Sequence, residues 1–188
     1  MKTNAWRTLA LLVSATALLG CQGNQTAAKD PNMGAAPTAA PTAATASIAQ
    51  VDDQTRDALI AALADERRAH ATYEAVAAKF GEARPFSNIV NAERRHESFL
   101  LPLFEKYKVT VPENEFTKEK VVVPATLADA CRQAVEGEKA NIRMYERFLV
   151  FAKESDIRET FTYLRDASNN NHLPAFERCL TGRGPRRN

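Results

Sequence analysis

The sequence predicts an all-α protein, a four-helix bundle of two antiparallel helical hairpins joined by a long crossover. From Asp52 to Leu180, apolar residues recur almost throughout at the three- and four-residue spacing of amphipathic helices. The chain has 188 residues with only seven Gly and 7% aromatics, which argues against a turn-rich β-sandwich or barrel. Connections within each helix pair are short and the one between pairs is long, as in bundles with a single crossover.

The first hairpin follows from two apolar stripes, separated near Gly81, which can end a helix. The first stripe comprises Leu59, Ala62, Leu63, Glu66, Ala69, Tyr73, Val76, Ala77 and Phe80. The second comprises Phe86, Ile89, Val90, Glu93, His96, Leu100, Leu103, Phe104 and Tyr107. We expect Pro102 to interrupt the second helix, because proline removes a backbone donor.

The crossover is a linker rich in Val and Pro from about Val109 to Pro124, and Val121 to Val123 can either pair as a short strand or simply pack. Thr126 with Asp129 resembles a capping box that opens the third helix. That helix carries the stripe Leu127, Cys131, Ala134, Glu138, Ile142, Tyr145, Phe148, Leu149 and Ala152. Asp156 with Glu159 can start the fourth helix. Its apolar stripe comprises Ile157, Phe161, Leu164, Ser168, His172, Ala175, Phe176 and Cys179. We expect Pro174 to interrupt this helix.

Residues 1–20 read as a secretory signal, since Lys2 and Arg7 precede an apolar run too short to span a bilayer. The segment from Leu18 to Cys21 resembles the bacterial lipobox, which implies cleavage before Cys21 and its acylation. An ordinary signal with a chance Cys is the alternative. The residue after Cys21 is Gln22 and not the Asp that serves as an inner-membrane retention signal in bacterial lipoproteins. Analogy with that family therefore favours an anchor in the outer membrane, facing the periplasm.

Outside the signal, the composition predicts a linker, a folded unit and a tail. Residues 21–51 are rich in Ala, Thr and Pro and too poor in apolar residues to fold, so they form a flexible spacer. Residues 52–180 form the bundle, and 181–188 a short basic tail. The formal net charge of +2 comes from the two basic residues of the signal, so the mature chain is neutral. Nucleic acid is therefore excluded as a partner.

Five ionisable residues fall on the apolar stripes: Glu66, Glu93, His96, Glu138 and His172. A carboxylate facing a bundle core costs several kcal/mol unless it is paired or binds a metal. Glu93 and His96 are three residues apart on one helix, a spacing at which a carboxylate oxygen and an imidazole nitrogen reach the same point. The pattern therefore predicts an iron or manganese site in the core.

The segments from Asp65 to Tyr73, Glu93 to His96 and Glu136 to Tyr145 resemble rubrerythrin and its relatives in the ferritin-like superfamily. The resemblance covers about Gln54 to Leu180. It is closest to a ferritin-like branch of unknown function, through the ending from Asn171 to Phe176. It implies two iron ions between the helices, held by the five residues on the apolar stripes, with Glu93 bridging.

Two positions depart from the family pattern. The residue three before His172 is Asn169, where the family has a bridging Glu, and Asn141 replaces a further family carboxylate. Less negative charge weakens binding of a second dication most, so the sequence predicts a mononuclear or weakly dinuclear site. His70, four residues after Glu66, could replace a lost ligand, although the matching family position is not one.

Tyr73 lies seven residues after Glu66, and Tyr145 lies seven residues after Glu138. Their side chains could either donate hydrogen bonds to carboxylates around the metal or pack in the core. Cys131 and Cys179 are expected to face each other across the second hairpin, either as a disulfide in an oxidising compartment or as two buried thiols. Neither belongs to a redox motif.

Three functions follow. The first is an exported, lipid-anchored protein that binds iron or manganese and oxidises Fe(II) or reduces peroxide or oxygen. The sequence has no rubredoxin-type Cys cluster, so the electrons would come from a partner protein or from the metal that is oxidised. The second is a metal-free bundle with a degenerate site, acting as an envelope interaction or stress module. The third is metal binding without turnover. The sequence leaves the oligomeric state open, a homodimer included.

Overall fold

The computed structural model describes residues 50–182, and only these are discussed below. The predicted signal, Cys21, nearly all of the linker and most of the basic tail lie outside the described residues. Within residues 50–182 the chain is helical and has no strand. None of the helices in this part is long and apolar enough to cross a membrane.

Four long helical segments form the bundle, as the sequence predicts. Helices α1 (Asp53–Lys79) and α2 (Phe86–Lys106) make the first hairpin, and α3 (Leu127–Phe151) opens the second. The fourth segment consists of α4 (Ser155–Ala167), a π-helical turn (Ser168–His172) and α5 (Leu173–Leu180). The crossover contains a short 3₁₀ turn, Lys118–Lys120.

The helix ends follow local signals in the sequence. Asp52 caps α1 by accepting a hydrogen bond at Oδ1 from the backbone N–H of Thr55 (2.8 Å). Past its other end, Gly81 adopts a φ of +68°, which favours glycine. The predicted cap of α3 is confirmed, because Thr126 Oγ1 accepts from the N–H of Asp129 at 3.1 Å.

Side-chain pairs fix the directions of the helices. Tyr73 contacts Glu138 and Glu66 contacts Tyr145, so α1 and α3 are antiparallel. Tyr107 contacts Asp156, whereas Phe99 packs on Tyr163, so α2 and the fourth segment are antiparallel too. Helices α2 and α3 therefore run in the same direction, and the crossover between them spans the length of the bundle.

Of the two interpretations of Val121–Val123, packing is the one observed, and the segment forms no strand. Val122 is 92% exposed, while Val123 packs against the apolar cluster that contains Val76 and Phe86. The crossover covers the bundle with single side chains and has no neighbouring strand with which to pair.

The two prolines act differently. Helix α2 continues through Pro102, so the expected interruption there is wrong. Pro174 instead follows the π-helical turn, in which the N–H of Leu173 bonds to the carbonyl of Ser168. The wider turn suits a residue that lacks an N–H and whose ring crowds the preceding turn of an α-helix.

The apolar core consists of two clusters. One includes Leu59, Leu63, Leu100, Phe104, Tyr145, Ile157, Phe161 and Leu164. The other includes Tyr73, Val76, Phe86, Ile89, Ala130, Cys131, Ala134 and Phe176. On each helix the buried Glu and His residues fall between the members of these two clusters. The core therefore encloses a polar layer at mid-bundle.

Candidate metal centre

The polar layer contains two overlapping groups of possible ligands. We call Glu66, Glu93 and His96 half-site A, and Glu93, Glu138 and His172 half-site B. In each half-site the three residues offer one ligand atom each, and these three atoms lie within 4.8 Å of one another. All five residues are at most 4% exposed. The structure thus brings together the five residues that the sequence singles out and makes Glu93 the shared one.

Half-site A joins α1 to α2. The Nδ1–H of His96 donates to Glu66 Oε2 at 2.9 Å and to Glu93 Oε2 at 3.0 Å. Glu93 and His96 lie one helical turn apart on α2, so their side chains converge, as their spacing predicts.

Half-site B joins α2, α3 and the π-helical turn. His172 Nδ1 lies 3.1 Å from Glu93 Oε1 and 3.6 Å from Glu138 Oε2. It is nevertheless buried without a well-directed hydrogen bond. The imidazole rings of His96 and His172 are stacked, with their centroids 5.4 Å apart. The two half-sites therefore lie side by side, and one oxygen of Glu93 faces each.

The buried charges shift one another's titration. Burial raises the pKa of Glu66 above its ordinary value. Burial would also lower the pKa of His96, but Glu66 and Glu93 raise it to about 9. In the same way Glu138 and Glu93 overcome burial and raise the pKa of His172 to about 10. The carboxylates therefore favour the protonated form of both imidazoles in the metal-free site, and a metal ion would have to displace those protons.

Two buried tyrosines hold the outer oxygens of the carboxylates. Tyr73 donates to Glu138 Oε1 and Tyr145 to Glu66 Oε1, each at 2.6 Å. Burial raises the pKa of both phenols well above the ordinary value, so both remain donors. Of the two interpretations from sequence, hydrogen bonding is the one observed, and both rings also pack in the core. Each carboxylate keeps its other oxygen towards an imidazole.

We predict that Tyr145→Phe destabilises the metal-free protein by about 2 kcal/mol, because the buried carboxylate of Glu66 loses a donor. Urea unfolding followed by circular dichroism measures the effect. Tyr163→Phe is the matched control, since that side chain is 52% exposed and we expect almost no change. Equal unfolding midpoints for the two variants would show that the bond to Glu66 contributes little.

The family's two further carboxylate positions are occupied differently from each other. Asn141 is buried and donates from Nδ2 to Asp65 Oδ2 at 2.8 Å, and its Oδ1 accepts from the hydroxyl of Ser168 at 2.8 Å. Asn169 is exposed and bonds to Asn170, because the π-helical turn rotates it outward. Ser168, four residues before His172, faces the core in its place.

Sequence reasoning missed the roles of Ser168 and Asp65. Ser168 lay on the predicted stripe but was not recognised as a polar partner of Asn141. Burial raises the pKa of Asp65, which accepts hydrogen bonds from Asn141 and Arg68. Its position directly before Glu66 was the available signal, since the helix places adjacent residues on neighbouring faces.

The structure does not bring His70 to either half-site. Its Nδ1 lies 3.7 Å from Glu97 Oε1, and Arg67 contacts the same carboxylate group. Glu97 follows His96 on α2 and faces away from the metal ligands, so His70 sits on the wrong side of the α1–α2 contact. The proposal that His70 is an extra ligand therefore has no geometric support.

Cys131 and Cys179 form a disulfide, with their Cα atoms 6.0 Å apart. It joins α3 to α5 beyond half-site B, next to Ala134 and Phe176. Of the two interpretations from sequence, the structure has the bridge.

The donor set and one imperfectly paired nitrogen together fit a metal ion. Three carboxylates and two imidazoles are ligands that suit iron and manganese. His172 Nδ1 pairs with Glu93 at 3.1 Å but makes no well-directed hydrogen bond, so this buried nitrogen is imperfectly satisfied without a metal. The two nitrogens and three carboxylates converge from four helical segments on one layer, the arrangement of metal sites in helical bundles.

Comparisons with known proteins agree with this architecture. The family model described as Rubrerythrin matches residues 57–180. The fold is similar to the crystal structure of a hypothetical protein from Methanococcus jannaschii, with a TM-score of 0.64 and 22% identity. That match covers 72% of this chain and 85% of the other, and at this identity it shows the fold alone. A search of curated proteins finds no significant match.

Proposed function

The chain belongs to the rubrerythrin family, and on this premise we propose that its ferritin-like bundle binds one or two iron ions, or manganese, in the polar layer. Glu66, Glu93 and His96 would hold one ion, and Glu93, Glu138 and His172 the other. The observation that supports this most is His172 Nδ1, which is buried between the carboxylates of Glu93 and Glu138 and makes no well-directed hydrogen bond to either.

Charge decides how many ions the site holds. Three carboxylates supply three negative charges, which neutralise one dication fully and two only in part. Asn141 and Ser168 are neutral and hydrogen-bonded to each other, so they add no charge where the family has carboxylates. We therefore propose that the second ion binds more weakly than the first.

Bound iron would supply one-electron chemistry, the oxidation of Fe(II) or the reduction of peroxide or oxygen. The protein's own residues would hold the ions and fix the carboxylates through Tyr73 and Tyr145. Both Cys residues in the described part are joined to each other, so we propose that further electrons come from a partner protein.

One observation favours a second function, a metal-free bundle that acts as an interaction or stress module in the envelope. His96 already donates to Glu66 and Glu93, and Asn141 and Ser168 satisfy each other. Such a network needs no metal at half-site A. The poorly directed contacts of His172 Nδ1 at half-site B weigh against it, and metal binding without turnover is the third outcome.

The half-sites can be tested separately by counting metal. After anaerobic loading with Fe(II), we expect Glu66→Gln and Glu138→Gln each to bind about one ion fewer than a fully loaded wild type, because each removes a ligand from one half-site only. Glu97→Gln is the matched control, since Glu97 is half-buried nearby but pairs with Arg67. We expect it to retain the wild-type stoichiometry.

Adding oxygen or peroxide to the loaded protein then separates the functions. A change in the optical spectrum supports oxidation chemistry, and bound metal with no change leaves binding without turnover. A wild type that binds no Fe(II) or Mn(II) contradicts the proposal and leaves the metal-free bundle.

We also propose that the protein is exported and that lipidated Cys21 anchors it to a membrane, with the folded domain in the periplasm. The outer membrane is favoured over the inner one. The basic start, the short apolar run and the lipobox-like segment before Cys21 support this. In cells given a radiolabelled fatty acid, we expect the wild type to be labelled and Cys21→Ala not to be. Equal labelling of the two would exclude an anchor at Cys21.

A further inference from the structure

A cavity of about 200 Å³ lies between α1 and α3 and connects the protein surface with the polar layer. Its inner wall includes Glu93 and Glu138, and Asn141 and Ser168 lie beside them. At about 30 Å³ for each water, the space holds roughly six water molecules, enough for a partly hydrated dication. The cavity therefore reaches both the shared carboxylate and half-site B.

Gly137 lies on the α3 wall of this cavity, next to Glu138. A glycine inside a helix costs stability relative to alanine, so its presence at mid-helix calls for a reason. Packing is not that reason, because a Cβ at this position would meet only the hydroxyl of Tyr73, at an ordinary contact distance of 4.0 Å. Gly137 is exposed and lines the cavity, so its lack of a side chain leaves the mouth of the cavity open.

A charged pair stands on the opposite wall, on α1. Arg68 has a side chain 60% exposed and bonds to Asp65, whose side chain is only 12% exposed. Asp65 also accepts from Asn141, which lies 3.4 Å from Glu66 through its Nδ2. A carboxylate thus lines the path between the exposed guanidinium and the candidate ligands.

Aromatic rings cover the polar layer on its other side, next to half-site A. The ring of Tyr163 packs edge-on against His96, and Phe99 packs against Tyr163 in turn. These two rings cover half-site A between α2 and α4. A cation that approached from that side would meet Glu159 in an outer groove but would then have to pass the two aromatic rings, between which no carboxylate lies.

We propose that the cavity between α1 and α3 is the port by which divalent cations enter and leave the metal site, kept open by Gly137 and made attractive to cations by Asp65. This inference rests on the proposed function, because it concerns how the metal reaches that same site. An entering ion would exchange waters for Asp65, displace Arg68 towards solvent and pass on to Glu138 and Glu93. The port changes rates in both directions and leaves the equilibrium affinity unchanged.

Uptake and release of Co(II) by the full chain test the port, with stopped-flow absorbance for uptake and a chelator for release. In Gly137→Leu we expect both rates to fall roughly tenfold with an unchanged dissociation constant, because access then requires a conformational change. Gly137→Ala is the matched control, with wild-type rates and a higher unfolding temperature. Thr72→Leu narrows the same cavity from α1 and decides the question should Gly137→Leu not fold.

The outcomes separate the port from the site itself. Unchanged uptake and release in both narrowed variants, with normal binding, overturn the port and leave the proposed function standing. A changed dissociation constant with an unchanged release rate overturns it as well, because it assigns Gly137 to affinity. Asp65→Asn should slow uptake severalfold with its fold intact, and wild-type uptake in this variant removes Asp65 from the route. A wild type that binds no Co(II) refutes both proposals together.

Discussion

Replacing Glu93 with Gln abolishes metal binding at both half-sites, the largest functional effect we expect from a single substitution. Glu93 Oε2 faces His96 and its Oε1 faces His172, so no other residue serves both groups. An amide is a poor ligand for these cations and cannot neutralise their charge. Anaerobic titration with Fe(II), read as ions bound per chain, measures the loss.

The same variant also reveals what Glu93 does without metal. Neighbouring imidazoles hold the pKa of Glu93 below its ordinary value, even though burial alone would raise it. Removing the charge takes one partner from two buried ion pairs, so we expect the metal-free protein to lose about 3 kcal/mol or more of stability. Circular dichroism checks that the variant is folded before metal is added.

Glu97→Gln is again the control, since Glu97 lies on the same helix, is half-buried and carries the same type of side chain. We expect it to bind metal as the wild type does. Full stoichiometry in Glu93→Gln would mean that neither half-site depends on the shared carboxylate, and the assignment of ligands would be wrong.

Reduction of the Cys131–Cys179 bridge gives the second large effect, a loss of about 4 kcal/mol in the free energy of unfolding. The bridge closes a loop of 48 residues, and the gain comes mainly from restricting the unfolded chain. Because the bridge also pins α5 to α3, opening it frees the helix that follows His172. Urea unfolding with and without a reductant measures the difference.

The double variant Cys131→Ala/Cys179→Ala provides the comparison. It should unfold at the reduced protein's midpoint and show no response to reductant, because no bridge remains. A wild type with one midpoint in both conditions, after complete reduction is verified by thiol counting, would show that the bridge does not stabilise the fold.

Much of the fold was predictable because apolar periodicity records burial directly. The helices appear where the stripes predict them, and the caps at Asp52 and Thr126 lie at the expected boundaries. Glu66, Glu93 and His172 stood out because charged residues on an apolar face violate the pattern. Their convergence followed from the antiparallel hairpins, in which residues at equal distances from the turn meet.

The remaining details depend on contacts that a linear pattern does not contain. The π-helical turn shifts the helical register by one residue, so Ser168 faces the core and Asn169 faces solvent. No count based on 3.6 residues per turn predicts that exchange. His70 lay near the predicted stripe, yet Glu97 on the neighbouring helix holds it outside the ligand group.

Anomalous X-ray diffraction from crystals grown with Fe(II) or Mn(II) tests the central claim most directly, because it locates the metal and identifies its ligands. The account predicts an anomalous peak in the polar layer within bonding distance of His172 Nδ1 and Glu93, and a second, weaker peak beside His96 and Glu66. A fully packed polar layer without any peak, in which His172 Nδ1 is hydrogen-bonded to Glu93 or Glu138, would contradict it.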